Sequence, residues 1–244
     1  MKAIILVAGY ATRLYPLTLN TPKALLEIGG KAIIDYIVDE INTVKEIDEI
    51  YVVTNHKFAE HFMKWSKQMK SGVPISILDD GTSTEEDRKG AIGDILFTIQ
   101  EKNINDDMMI IAGDNFFTYK LKDYYEYYKK VNCDCVCVKQ WEDKEQLKQF
   151  GIALLNSDGK VLNIEEKPEH PKSNTVVFAT YIYKKDTVPL FEKYIKEGNK
   201  PDAPGNFPAW LYHFKDVYAY IFDGECYDIG TPKSYEEVCK LYNR

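Results

Sequence analysis

The sequence predicts an α/β fold, a mixed and mostly parallel β-sheet flanked by helices. Three observations carry that expectation. Short continuous apolar runs, at residues 3–8 and 108–112, read as strands buried on both faces. Between them lie stretches with apolar residues at helical spacing, such as Ile33, Ile34, Ile37, Val38 and Ile41. The two kinds alternate through the first half of the chain, the order that βαβ units with right-handed crossovers require.

Taken in order, strand 3–8 is followed by a long polar loop from Gly9 to about Gly30, then by the helix that begins near Ile33. Residues 50–54 read as a strand, 56–69 as a helix and 74–78 as a third strand. After Gly90, Ile92, Ile95, Leu96 and Ile99 mark one face of a helix, and strand 108–112 then ends at Gly113-Asp114-Asn115. Beyond residue 130 the pattern loosens into short strands at 133–139, 151–155, 161–166 and 176–184. Asn156-Ser157-Asp158-Gly159 has the composition of a hairpin turn. A helix at 187–197, a strand at 217–222 and a helix at 232–242 close the chain, the last with Tyr235, Val238, Cys239 and Tyr242 on one face. No repeat or linker divides it, so one domain over residues 1–244 is expected.

Composition narrows the function classes. Of 244 residues, 45% are hydrophobic and 28% charged, an ordinary globular balance. No run of 18 apolar residues offers a membrane span, and the opening segment reads as a strand and not a leader. A cytoplasmic protein with no membrane partner is the expectation. A net charge of −7 argues against nucleic acid, which needs clustered Lys and Arg. Tyr124, Tyr125, Tyr127 and Tyr128 sit among Lys and Glu and read as helix packing. Cys133, Cys135 and Cys137 alternate on one strand face without the Cys-x-x-Cys spacing of zinc sites, which favours buried thiols.

In an open parallel sheet, ligands bind beyond the carboxyl ends of the strands, which directs the search to the loop after the first strand. Gly9 permits a tight turn whose N–H groups can face phosphate oxygens. Arg13 supplies a planar cationic fork and Lys23 a mobile point charge. A dinucleotide fingerprint would need glycines where Ala11 and Leu14 stand, and the Gly-Lys-Ser/Thr of a P-loop is missing.

The segment from Leu6 to Lys23 resembles the sugar-1-phosphate nucleotidylyltransferases, whose opening motif is Leu-Ala-Gly-Gly-x-Gly-Thr-Arg-Leu-x-Pro-x-Thr-x-x-x-Pro-Lys. The agreement runs through Thr12, Arg13, Leu14, Pro16, Thr18, Pro22 and Lys23, with Ala11 in place of a family glycine. The resemblance implies a Rossmann-like sheet of the nucleotide-diphospho-sugar transferase type. It also implies a nucleotide held by Ala8, Gly9, Tyr10, Ala11 and Thr12, with Arg13 and Lys23 as the catalytic cations.

Such chemistry brings an anionic nucleophile to a polyanionic triphosphate, so it needs Mg²⁺ and cations more than a base. Asp114, at the end of strand 108–112, faces the expected crevice. Gly113-Asp114-Asn115 and Asp228-Ile229-Gly230-Thr231-Pro232 both look like the family's metal-binding segments, which implies one Mg²⁺ shared by Asp114 and Asp228. Glu165-Glu166-Lys167-Pro168 matches the acceptor segment, implying Lys167 on the acceptor phosphate and Glu166 on the sugar. Gly151 begins a strand where the sugar approaches backbone, and Ala179 stands where the family has a glycine. Gly90 fits the base-stacking position, while the family's glutamine is replaced by something near Asp80 or Thr82. Asp80 suits base amino donors, such as those of cytosine or guanine, while Thr82 would serve uracil or thymine equally well, so the nucleobase stays open.

The expected partners are a nucleoside triphosphate and a phosphorylated sugar or other small acceptor, with a homo-oligomer possible and oligomeric state open. Two other readings stand beside this one. A cytidylyltransferase acting on a non-sugar phosphate such as phosphocholine would use the same scaffold, and a non-catalytic nucleotide-binding regulator would bind without turnover.

Overall fold

A computed structural model describes residues 1–242. The chain runs β1 (Lys2–Leu6), β2 (Glu27–Ile28), β3 (Lys31–Ala32), α1 (Ile33–Ile41), β4 (Glu49–Thr54), α2 (His56–Gln68), β5 (Ile75–Asp79), α3 (Ala91–Lys102) and β6 (Met108–Ala112). It continues through β7 (Asn115–Phe117), α4 (Leu121–Val131), β8 (Asp134–Gln140), β9 (Gly151–Leu155), β10 (Val161–Glu166) and β11 (Thr175–Tyr183). The last elements are α5 (Val188–Lys196), α6 (Asn206–Leu211), β12 (Val217–Ile221), β13 (Cys226–Asp228) and α7 (Pro232–Tyr242).

The main sheet has the order β10-β9-β11-β6-β1-β4-β5, with β8 on β11 and β12 on β8. Strands β6, β1, β4 and β5 are all parallel, whereas β11 runs antiparallel to β6. The expected mixed, mostly parallel sheet flanked by helices is what forms.

Both faces of this sheet are covered, which explains the continuous apolar runs. On β1, Ala3 and Ile5 pack with Ile34, Ile37, Phe58 and Phe62 on one side. Ile4 packs with Ile92, Ile95, Phe191 and Phe207 on the other. A buried side chain of this size contributes about 1.5–3 kcal/mol, so the central strands hold the frame on which loops are hung. A third cluster joins Leu14 of the first loop to Ile28, Phe116, Ile229 and Val238 of α7. Cys135 and Cys137 are buried on β8, and all five cysteines are free thiols. Among the described residues, no helix is long and apolar enough to cross a membrane.

Two features direct the chain toward one end of the sheet. Strand β11 changes register between Phe178 and Tyr181. Residues 175–177 pair with β9, and residues 180–183 pair with β6. The irregularity leaves Ala179 at a bulge, a common device for re-aiming backbone beside a site. The second feature is a small antiparallel ribbon, β7 with β13, which sets Asp228 opposite Asn115 across more than a hundred residues of sequence.

Candidate active site

A cleft of about 610 Å³ opens at the carboxyl ends of β1 and β6, where Leu6 and Ala112 stand in register. Its walls include Ala8, Gly9, Tyr10, Ala11, Thr12 and Arg13 of the first loop, Lys23, Gly90, Asp114, Gly151, Glu166, Lys167, Ala179 and Asp228. Every residue assigned from the sequence to nucleotide, acceptor or metal therefore lines one cavity, with Asp80 and its alternative Thr82 the exceptions.

The first loop is fixed from below. The Asn55 amide donates to the Ala8 carbonyl at 2.8 Å while its oxygen accepts from the Phe58 N–H at 3.1 Å, so one residue both caps α2 and pins the end of β1. The buried Thr18 hydroxyl donates to the Ala11 carbonyl at 2.8 Å. Ala11 itself has φ 49° and ψ 44°, left-handed backbone that favours glycine. That is the physical reason a glycine would suit this position; here alanine accepts the strain, on the order of 1 kcal/mol.

Lys23 is nearly buried, and its Nζ donates to Asp114 Oδ2 at 3.1 Å with Asp228 Oδ1 at 3.8 Å. The two carboxylates, which the β7–β13 ribbon draws together, thus share one ammonium. Arg13 is exposed above them, its guanidinium so close to Gly230 that an added Cβ there would lie 3.5 Å from it.

On another part of the cleft wall, Glu166 pairs in register with Gly151 at the end of β10. An added Cβ would meet Glu166 Oε2 at 2.9 Å from Gly151 and at 2.1 Å from Gly205. Both glycines are required for the carboxylate to sit where it does. Burial raises the Glu166 carboxyl above its ordinary value, with Lys167 opposing that shift. Lys167 follows in left-handed backbone, φ 48°, held by its N–H to the Phe150 carbonyl at 3.1 Å.

The remaining wall is formed by the start of α3. Gly90 has φ +78°, and a Cβ there would lie 2.7 Å from the Pro201 carbonyl oxygen, so only glycine lets the 201–205 segment cross. That segment accepts the Ala91 and Ile92 N–H groups through the Asp202 and Pro201 carbonyls.

Asp80, expected on the cleft wall, lies behind it. It is 4% exposed, and its Oδ1 accepts from the Thr82 N–H and hydroxyl at 2.7 Å each. Asp94 reaches the cavity in its place, together with Glu85 and Arg88. Burial, then the Asp80 carboxylate beside it, push the Asp94 carboxyl up to about 8. Sequence reading missed Asp94 because a lone acid in the first turn of a helix reads as a favourable match to the helix dipole.

Paired carboxylates around a lysine, at the carboxyl end of a parallel sheet and under a cation-bearing loop, define an α/β fold with a cleft whose donors suit a cation and phosphate groups. The chain belongs to the nucleotidyl transferase family, whose sequence model matches residues 2–244. It is 28% identical over 242 residues to the UTP–glucose-1-phosphate uridylyltransferase of Haloferax volcanii, covering 98% of this chain and 95% of that protein. A glucose-1-phosphate adenylyltransferase of Clostridium novyi is 29% identical over 250 residues, covering 96% of this chain. The chain spans 62% and 64% of the length of two of the curated relatives it matches. Among structures, UDP-glucose pyrophosphorylase complexed with UDP-glucose superposes with a TM-score of 0.84 at 22% identity, covering 99% of this chain and 97% of that one. The UTP-bound enzyme of Acinetobacter baumannii gives 0.80 at 20%, covering 99% and 92%. At those identities the likeness is one of fold.

Proposed function

We propose that this chain joins a nucleoside triphosphate to a sugar 1-phosphate, releasing pyrophosphate and giving a nucleoside diphosphate sugar, with residues 1–244 acting as one catalytic unit. The observation that carries this reading is the meeting of Lys23 with both Asp114 and Asp228 at the head of the cleft. The names of the relatives, which concern glucose 1-phosphate, support the acceptor class and lend nothing to a phosphocholine acceptor.

Asp114 and Asp228 fit a divalent cation, and Mg²⁺ by the chemistry of the donor set. Mg²⁺ takes hard oxygens, one or two carboxylates from protein and the rest from phosphates and water. The pair already accommodates one cation, the Lys23 ammonium. When bound, the ion would offset triphosphate charge and polarise the phosphorus under attack.

In the reaction the Gly9–Thr12 backbone and Arg13 bind the triphosphate, while Lys23 stabilises charge that develops toward the leaving group. Lys167 holds the acceptor phosphate and Glu166 accepts hydrogen bonds from acceptor hydroxyls. An acceptor phosphate oxygen attacks the α-phosphorus in line; the bond from that phosphorus to the bridging oxygen breaks, and pyrophosphate leaves with the electron pair. No side chain becomes covalently modified.

A pyrophosphate-release assay over four triphosphates and a panel of sugar 1-phosphates tests this. Lys23→Ala and Asp114→Ala, with folding checked by circular dichroism, are expected to lower turnover about 10²–10³-fold each. Near-normal turnover in either variant contradicts the assignment.

A further inference from the structure

Resting on that reading of the cleft, we propose that Asp94, backed by Asp80 and sharing its cavity with Tyr10, reads the hydrogen-bonding edge of the nucleobase and thereby sets which triphosphate is preferred. Phosphates and cation occupy the Arg13, Lys23, Asp114 and Asp228 end, and the acceptor occupies the Glu166 and Lys167 side. The wall left for the base is the one formed by Tyr10, Gly90, Ala91 and Asp94, with Glu85 and Arg88 at its rim.

Buried polar atoms without partners mark this wall. Tyr10, Asp80 and Asp94 are 8%, 4% and 5% exposed. Among the described residues, the Tyr10 hydroxyl, Asp80 Oδ2 and Asp94 Oδ1 have no hydrogen-bond partner. A buried polar group left unpaired costs about 1–3 kcal/mol, so such a cluster on a cavity wall points to a ligand that completes it.

The two acids resolve part of this between themselves. A proton held on Asp94 is donated to Asp80, consistent with the elevated Asp94 carboxyl and with Asp80 as a cause of that elevation. The other Asp94 oxygen is then an acceptor, and the Tyr10 hydroxyl is a donor. An acceptor and a donor in one cavity match a base edge that presents both an N–H and a carbonyl or ring nitrogen. A site built to hydrogen-bond one such edge discriminates strongly, because a mismatched base leaves these groups unpaired. Asparagine at 94 would keep the arrangement, its N–H₂ donating to Asp80 and its oxygen accepting from the base.

The test measures equilibrium binding of ATP, GTP, CTP and UTP, beside pyrophosphate release with each. Asp94→Ala and Tyr10→Phe are expected to compress the ranking of the four by at least about ten-fold between best and worst. Asp94→Asn is expected to retain the ranking. A uniform weakening of all four by Asp94→Ala, with the ranking unchanged, overturns the proposal and leaves Asp94 a structural residue. Ranked binding by the wild type without turnover overturns the transferase reading alone, whereas no triphosphate binding at all overturns both.

Discussion

At the scale of single residues, the site depends on where glycine leaves room for a charge. Gly205 and Gly151 enclose the Glu166 carboxylate, and the nearer of the two would place a Cβ 2.1 Å from Oε2. Gly205→Ala must therefore displace Glu166. The expected result is a rise of roughly ten-fold in KM for the sugar phosphate, one to two hydrogen bonds' worth, with little change in KM for the triphosphate. Steady-state kinetics with each substrate varied in turn checks the split; equal effects on both would place Glu166 elsewhere in the reaction. That Arg13, Lys23, Asp114, Asp228, Glu166 and Lys167 gather in one cleft was legible in the sequence because charged residues there sit within spaced motifs. Asp94 was not. Its significance comes from Asp80, which approaches it from another element. Gly205 was equally silent, since its role is set by a strand forty residues earlier.

Among elements, those buried on both faces were readable and those made by distant pairing were not. Strands β1, β4 and β6 are runs of apolar residues with helices on either side. Strands β7 and β13 have three residues each and exist only as each other's partner. Nothing local announces such a ribbon, although it brings Asp114 and Asp228 together. Helix α6, Asn206–Leu211, opens with Gly205 and contains Pro208, which reads as loop. A buried polar clamp ties the far end of the molecule. Asp134 accepts from the Lys184 N–H at 2.7 Å and from the Thr187 hydroxyl, and pairs with Lys215 at 3.0 Å. It joins β8 to the segments before α5 and before β12. Asp134→Ala removes the buried acceptor of the Lys184 N–H and the Thr187 hydroxyl, while Lys215 keeps Asp186 at 2.6 Å, an expected loss of about 1–3 kcal/mol. Urea denaturation measures it, and a loss under about 1 kcal/mol would mean that the clamp relaxes without cost.

For the whole molecule, the buried acid in the cleft wall makes stability depend on pH. The Asp94 carboxyl stands at about 8 in the folded chain, against about 3.9 when unfolded. Between those values the folded state holds one more proton than the unfolded state. Stability therefore falls as pH rises from about 4 to about 8, by up to about 1.4 kcal/mol per pH unit, and levels off above the folded value. Asp94→Asn removes that contribution. The variant should gain stability relative to wild type as pH rises from about 5 to about 8, read as the difference in urea midpoint at each pH. A constant difference would mean that Asp94 is ionised throughout.

The central claim, that Asp114 and Asp228 serve one cation in one step, is tested most directly by a double-mutant cycle in pyrophosphate release. If they share an ion, Asp114→Ala and Asp228→Ala each lower kcat/KM about 10²–10³-fold, and the double variant falls little further. Losses that multiply in the double variant would show two independent roles and contradict the shared site.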